Sequence, residues 1–309
     1  MSCKGTQVLI SGKLPRMEIE HTRKMEWPEV SKNRFGSLIR TDSPDGCQIA
    51  LLGVPDDTGV LMNHGNPGAA QGPDALRVAL TRYGTNEPDD WVWPAVYDAG
   101  DVVTSGDLTV THDRVTHAVN QLLDAGLFPI MLGGGHDLTF PFVRAVSKHY
   151  GEMNGIYLDA HLDVRDEEGS GMPFRKLIED CDVKRLDLIG FSHFTNSREH
   201  TRWFHSHGGR IDALEPGGVW PGDNLFLSLD LDVLDVSSAP GVSAQNPMGM
   251  SVHEVAKWIN AAGANDRVRC FDIMELCPPN DLAGKTARVA AHLLLTFLKG
   301  YASRPGSHA

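Results

Sequence analysis

Gly155-Ile156-Tyr157-Leu158-Asp159-Ala160-His161-Leu162-Asp163 is the stretch that decides how this chain is read. It opens as a short apolar run, the signature of a buried strand, and then sets Asp, His and Asp at every second position. In extended backbone, residues i, i+2 and i+4 point to one face. The spacing therefore predicts that Asp159, His161 and Asp163 converge if the segment stays extended as it leaves the sheet. Three hard or borderline ligands at one spot point to a metal site.

Outward from that stretch, apolar strand-like runs alternate with amphipathic segments. Strands are expected at Gln48–Gly53, Phe128–Leu132, Gly155–Asp159, Leu186–Gly190, Leu225–Asp230 and Val268–Leu276. Helices are expected from Gly72-Pro73, with Pro in its first turn, and around Val115, Ala118, Val119 and Leu122, with Gly126 closing it. Others are expected over Leu138–Tyr150, over Ser197–His207, from a Ser251/Glu254 capping box to about Ala262, and over Thr286–Lys299, stopped by Gly300. Strands that are continuously apolar and separated by helices imply a parallel sheet covered on both faces. Residues 46–309 thus form one three-layer α/β domain, preceded by a polar extension or arm over residues 1–45 with Pro15, Pro28 and Pro44.

Composition narrows the partners. The formal net charge of −12 argues against nucleic acid or an anionic membrane, both of which need a basic footprint. The same charge suits a cationic reacting group. The five cysteines, Cys3, Cys47, Cys181, Cys270 and Cys277, are odd in number and scattered, which reads as reduced thiols in a cytoplasmic protein. The first residues have no apolar core of a signal peptide, and no apolar run approaches the ~20 residues of a membrane span.

Ligands of open parallel sheets bind beyond the carboxyl ends of the strands. Expected strands end at Gly133-Gly134-Gly135-His136, at Asp159-Ala-His161-Leu-Asp163, at Asp230-Leu-Asp232-Val-Leu-Asp235 and near Asp272-Ile-Met-Glu275. Asp159, Asp163, Asp230 and Asp232 together cannot all stay ionised in one pocket without compensation. Two divalent cations balance those four charges, and four carboxylates with His136 and His161 suit a pair of hard-to-borderline ions. Oxygen-rich ligation favours manganese, although zinc, cobalt or nickel could enter.

The same four motifs, with Ser228 before Asp230 and Leu276-Cys277-Pro278 after Glu275, resemble the ureohydrolase (arginase, agmatinase and formimidoylglutamase) family from about Ile49 to Leu298. The resemblance implies an arginase-like α/β/α fold with a mostly parallel sheet of about eight strands, two Mn2+ ions, and assembly into homotrimers or hexamers. It implies one ion on His136, Asp159, Asp163 and Asp230 and the other on Asp159, His161, Asp230 and Asp232. It also implies Glu275 as the anchor of a cationic amidinium and Asp163 as proton carrier from a metal-activated hydroxide to the departing amine.

The loops Gly53–Val60, His64–Ala69, Asp163–Arg165, Ser170–Arg175 and Phe191–Ser197 are similar to the formimidoylglutamase branch. Ser170 stands where arginases and agmatinases place a proton-shuttling His, and Val236 stands where many relatives have Pro. The expected reaction is hydrolysis of N-formimidoyl-L-glutamate to L-glutamate and formamide, a step of histidine degradation. Arg165, Arg175, Asn196 and Arg198 are the expected donors to the substrate carboxylates. The alternatives are an agmatinase- or guanidinobutyrase-type enzyme releasing urea, and an idle, metal-stabilised binding or assembly protein on the same fold.

Overall fold

Ile49 and Leu51 are buried in one hydrophobic core and Ala50 and Leu52 in another. A strand alternates its side chains between faces, so this strand is apolar throughout because both faces are covered. The computed structural model describes residues 18–86 and 92–305. In chain order the strands are β1 (Thr22–Arg23), β2 (Ile39–Arg40), β3 (Ile49–Gly53), β4 (Val96–Val102), β5 (Phe128–Leu132), β6 (Met153–Leu158), β7 (Val183–Ile189), β8 (Gly209–Ile211), β9 (Leu225–Asp230) and β10 (Val268–Met274). The helices are α1 (Thr58–Met62), α2 (Gly72–Leu80), α3 (Leu108–Asp124), α4 (Thr139–Tyr150), α5 (Pro173–Asp180), α6 (Arg198–Ser206), α7 (Val252–Ala264) and α8 (Lys285–Tyr301).

The strands of the described residues form one open sheet in the order β1-β4-β3-β5-β10-β9-β6-β7-β8, with β2 also on β4. Every pairing is parallel except β1 on β4. Eight of the strands are three residues or longer, the number expected, and the two-residue β1 and β2 are contributed by the segment before residue 45. Helices α2, α7 and α8 cover one face through Leu76, Trp258 and Leu294. Helices α3 to α6 cover the other through Val119, Phe142, Phe174 and Phe204. The three-layer α/β/α architecture follows.

Register places the functional rim. Leu132 pairs with Ile273, Ile273 with Leu229, and Leu229 with Leu158. The last rows of β5, β10, β9 and β6 are therefore level, and the loops leaving these four adjacent strands rise from one edge.

Three features depart from what the sequence led one to expect or went unforeseen in it. Helix α8 does not stop at Gly300 but runs on to Tyr301. A Cβ on Gly300 would lie 2.4 Å from the Asn260 carbonyl oxygen of α7, so this glycine serves close helix packing, not termination. Strand β4 escapes a search for apolar runs because Asp98 and Asp101 sit within its buried length. Buried Arg77 of α2 compensates both: its Nε donates to Asp98 at 2.8 Å and its Nη1 to Asp101 at 2.6 Å. The third concerns the opening stretch. Strand β6 ends at Leu158, the His161 N–H turns back to the Asp159 carboxylate at 2.6 Å, and Asp163 has φ +46°. The segment bends as it leaves the sheet, and the ligands converge through that bend and not through extended backbone.

Candidate metal centre

The loop after β5 can approach β3 only because it is made of glycine. A Cβ on Gly134 would lie 1.7 Å from the Asp56 carbonyl oxygen, and the Gly134 and Gly135 N–H groups donate to Val54 and Asp56 carbonyls at 3.0 and 2.9 Å. This turn delivers His136, 1% exposed, over the rim. Its Nδ1 lies 3.2 Å from Asp159 Oδ2, 3.0 Å from Asp163 Oδ2 and 3.1 Å from Asp230 Oδ2. A second group adjoins it: His161 Nδ1 is 3.4 Å from Asp159 Oδ1 and 3.0 Å from Asp232 Oδ2.

Asp159 faces both groups, one oxygen to each. The structure thus brings His136, Asp159, Asp163 and Asp230 together, and Asp159, His161 and Asp232 together. Asp230 stands in the first group, and its Oδ1 accepts the Asp232 N–H of the second at 2.8 Å. Asp137, the next residue after His136, turns away and pairs with buried His112 at 2.9 Å.

The donor atoms test whether cations fit. His136 Nδ1, Asp159 Oδ2 and Asp232 Oδ1 are buried and make no hydrogen bond, although charged neighbours lie near. Buried polar atoms are nearly always satisfied, so atoms close together yet not aimed at one another indicate a shared point between them. Nitrogen and carboxylate oxygen in two groups sharing Asp159 is a donor set for two divalent ions. The residues present fit the metal.

Without cations only protons can relieve the crowding. Burial, with repulsion from Asp163 and Asp232, pushes Asp159 up to about 6. Burial and Asp232 likewise raise Asp230 well above the usual carboxylate range. Burial disfavours the imidazolium of His136, but the Asp159, Asp163 and Asp230 carboxylates beside its Nδ1 outweigh that and raise its pKa. The Asp232 carboxylate beside His161 raises that ring strongly. Burial opposes ionisation of Asp232 too, and His161 more than offsets it, holding Asp232 low.

A chain of hydrogen bonds behind the rim sets the ring of His136. Its Nε2 lies 3.0 Å from Ser228 Oγ, which donates to Asp272 at 2.6 Å. Thr139 donates to the other Asp272 oxygen at 3.1 Å. The Ser228 proton is committed to Asp272, so Ser228 can only accept from Nε2–H. Nδ1 is left bare toward the cluster. The sequence reading gave Ser228 and Asp272 no role. The available signal was a hydroxyl and a carboxylate inside two strands with no exposed position.

Glu275 follows β10 with φ +65° and is buried; its Oε1 accepts the His136 N–H at 2.9 Å. Burial pushes its carboxyl up to about 8, against the His136 N–H, which favours ionisation. Glu275, His161, Asp163, Asp230 and Asp232 line a cavity of about 140 Å³ that Arg165, Ser170, Asn63 and Ser243 complete. Gly169 and Gly171 let this wall form: a Cβ on either would run into Asn63 or Arg165. Asn63 and Ser243 belong to loops distant in sequence and carried no motif.

The other expected carboxylate donors lie elsewhere. Arg175 pairs with Asp166 at 3.1 Å and Glu179 at 2.9 Å and stacks over Trp203. Asn196 is a clasp for the bent loop: its Oδ1 accepts the Leu162 N–H at 2.9 Å, and its Nδ2 donates to the Ala160 and Ser192 carbonyls, each at 2.8 Å. Arg198 opens α6 and borders a separate, open depression with Phe191 and His193. Val236, where Pro was noted in relatives, donates its N–H to the Asn246 carbonyl at 2.8 Å, a bond Pro could not make.

A parallel three-layer sheet whose rim carries two joined imidazole–carboxylate clusters beside a buried glutamate has the donor arrangement that two-metal hydrolysis requires. Residues 47–299 match the arginase family. The chain is 32% identical to a formimidoylglutamase of Ralstonia nicotianae over 89% of this chain and 93% of that protein. It is 31% identical to the human mitochondrial guanidino acid hydrolase over 83% and 79%. Among solved structures, Trypanosoma cruzi formiminoglutamase with Mn2+2 superposes with a TM-score of 0.81 at 31% identity, covering 88% of this chain and 99% of that one. The chain belongs to the arginase family.

Proposed function

We propose that the chain hydrolyses a carbon–nitrogen bond of a linear amidine, converting N-formimidoyl-L-glutamate and water to L-glutamate and formamide, at a dimanganese centre. His136, Asp159, Asp163 and Asp230 would hold one ion and Asp159, His161 and Asp232 the other. The observation that carries the reading is the set of buried donor atoms left without hydrogen bonds between those residues. The oxygen-rich donor set supports manganese, as does the Mn2+2 of the T. cruzi formiminoglutamase. The similarity to formimidoylglutamases over most of the chain supports the substrate.

When bound, the cations supply Lewis-acid chemistry, making a water acidic enough to act as a nucleophile near neutral pH. Glu275 binds the amidinium nitrogen by charge-assisted hydrogen bonds. Its carboxyl, raised to about 8, takes its ionised form most readily when that cation arrives. Asp163, whose side chain is 14% exposed, borders the cavity and carries the proton to the departing nitrogen as the carbon–nitrogen pair leaves with it. On the wall of the same cavity, Arg165 has no carboxylate partner among the described residues, and the Asn63 side chain makes no hydrogen bond there. Both are available to the glutamate carboxylates.

Product identification after manganese loading tests this. Formamide and glutamate from formimidoylglutamate are expected. Urea from arginine, agmatine or a guanidino acid, with no formamide from formimidoylglutamate, overturns the substrate. No turnover of any of these by protein holding both ions overturns the hydrolase.

A further inference from the structure

On the outer face of α3, away from the sheet rim, a second constellation joins the N-terminal segment to the body. Glu20, His21 and His117, all exposed, each offer a donor atom, and these atoms lie within 4.8 Å of one another. The backbones that present them are fixed. The Ile19 side chain is buried in the core, and the His21 carbonyl accepts the Val103 N–H at 2.7 Å. The Glu20 N–H donates to Gln121 Oε1 at 2.9 Å.

That last bond exposes a conflict. With its oxygen on the Glu20 N–H, Gln121 turns its NH2 to His117 Nε2 at 2.9 Å, while Glu20 Oε2 lies 3.0 Å from the same nitrogen. An amide NH2 only donates and a carboxylate only accepts. A neutral Nε2 suits Gln121 but sets a lone pair against the carboxylate. A protonated Nε2 suits Glu20 but sets N–H against N–H. A cation shared by Nε2, Oε2 and His21 removes the lone-pair clash, and the exposed Gln121 amide can turn to water. The 3.0 Å separation is close to that of two ligands at ~2.0–2.1 Å from one ion.

We propose that Glu20, His21 and His117 bind a divalent transition ion, zinc by the chemistry of two imidazoles and a carboxylate, that fastens the N-terminal segment to α3. A coordinated water would complete four ligands. The site is separate from the rim centre and shares no residue with it.

The test uses the full chain with manganese loaded, dialysed against zinc. Bound metals are counted by mass spectrometry for wild type, His117→Ala, His21→Ala, Glu20→Gln and the control His149→Ala. Wild type and the control should hold one more equivalent of zinc than the three site variants, and zinc exchange at the rim centre cancels in that difference. Zinc should also slow proteolysis at Arg23 and Lys24 in wild type and the control but not in the three site variants. Circular dichroism of each variant without zinc verifies folding, and His21→Ala, on the exposed segment, keeps the test open if His117→Ala fails. Equal zinc content in wild type and folded site variants, or loss in the control as well, overturns the proposal.

Discussion

Ser228 decides which nitrogen of His136 faces the carboxylate cluster. Its hydroxyl lies 3.0 Å from Nε2 and gives its own proton to Asp272, so Nδ1 is the bare nitrogen. The orienting groups behind a metal-binding histidine typically matter 10–100-fold in metal affinity. Ser228→Ala should therefore weaken manganese binding by roughly that factor while leaving the fold intact, read by metal titration and circular dichroism. Unchanged affinity would show that packing alone sets the ring.

Glu275→Gln separates anchoring from metal holding. The variant keeps a group that can accept the His136 N–H, so both ions should stay. Losing a charge-assisted hydrogen bond to an amidinium costs about 1.5–3 kcal/mol, so kcat/KM should fall by roughly 10- to 150-fold. Full activity would remove Glu275 from the site's chemistry, and loss of metal would make it structural.

Arg165→Met should raise KM for a substrate bearing carboxylates and leave metal content unchanged. The expected penalty is again about 1.5–3 kcal/mol for one charged hydrogen bond. Arg175→Met, whose guanidinium is engaged by Asp166 and Glu179, should leave KM nearly unaltered. The reverse pattern would relocate the carboxylate end of the cavity.

Arg77→Met leaves Asp98 and Asp101 buried without their cation. Breaking a buried ion pair from one side costs about 3–5 kcal/mol. A lowered melting temperature and denaturant midpoint are expected, with metal affinity retained in whatever fraction stays folded. A variant as stable as wild type would show that the Trp27 indole N–H, which donates to Asp98 at 2.6 Å, and the Gly100 N–H at 2.9 Å suffice for Asp98.

Chelated protein should lose stability as pH rises. Asp159 at about 6 and Glu275 at about 8 hold protons in the folded state that the unfolded chain has already released. The folded state thus binds more protons between the ordinary carboxylate range near 4 and about 8, and the slope of unfolding free energy with pH is negative there. His136, raised above its ordinary value, acts in the same direction above about 6.5. Thermal melts at pH 5 and pH 8 should differ for the stripped protein and converge when manganese is restored. A stripped protein steadier at pH 8 would contradict this electrostatic picture.

The chain's local chemistry was legible where one segment holds its own reason. Apolar runs marked the two-sided strands, Ser251 and Glu254 marked the start of α7, and the spaced Asp and His residues marked the rim. Compensation from afar was not legible. Strand β4 carries two buried aspartates that only Arg77 makes tolerable. Asn196 looked like a free amide until Ala160, Leu162 and Ser192 occupied it. Gly300 had the look of a helix stop, and only the approach of α7 explains it.

By itself the sequence determined the layered α/β class, the six candidate ligand residues and the charge that cations would balance, because alternation, charge and ligand type are properties of the residues themselves. Only the tertiary structure decided which ligands share an ion site. The motifs follow β5, β6, β9 and β10 in the chain, whereas the sheet orders those strands β5-β10-β9-β6. Crossover connections set that order and level register brings the four strand ends to one rim. The bend at Asp163 and the two-sided Asp159 carboxylate then divide the donors between two clusters.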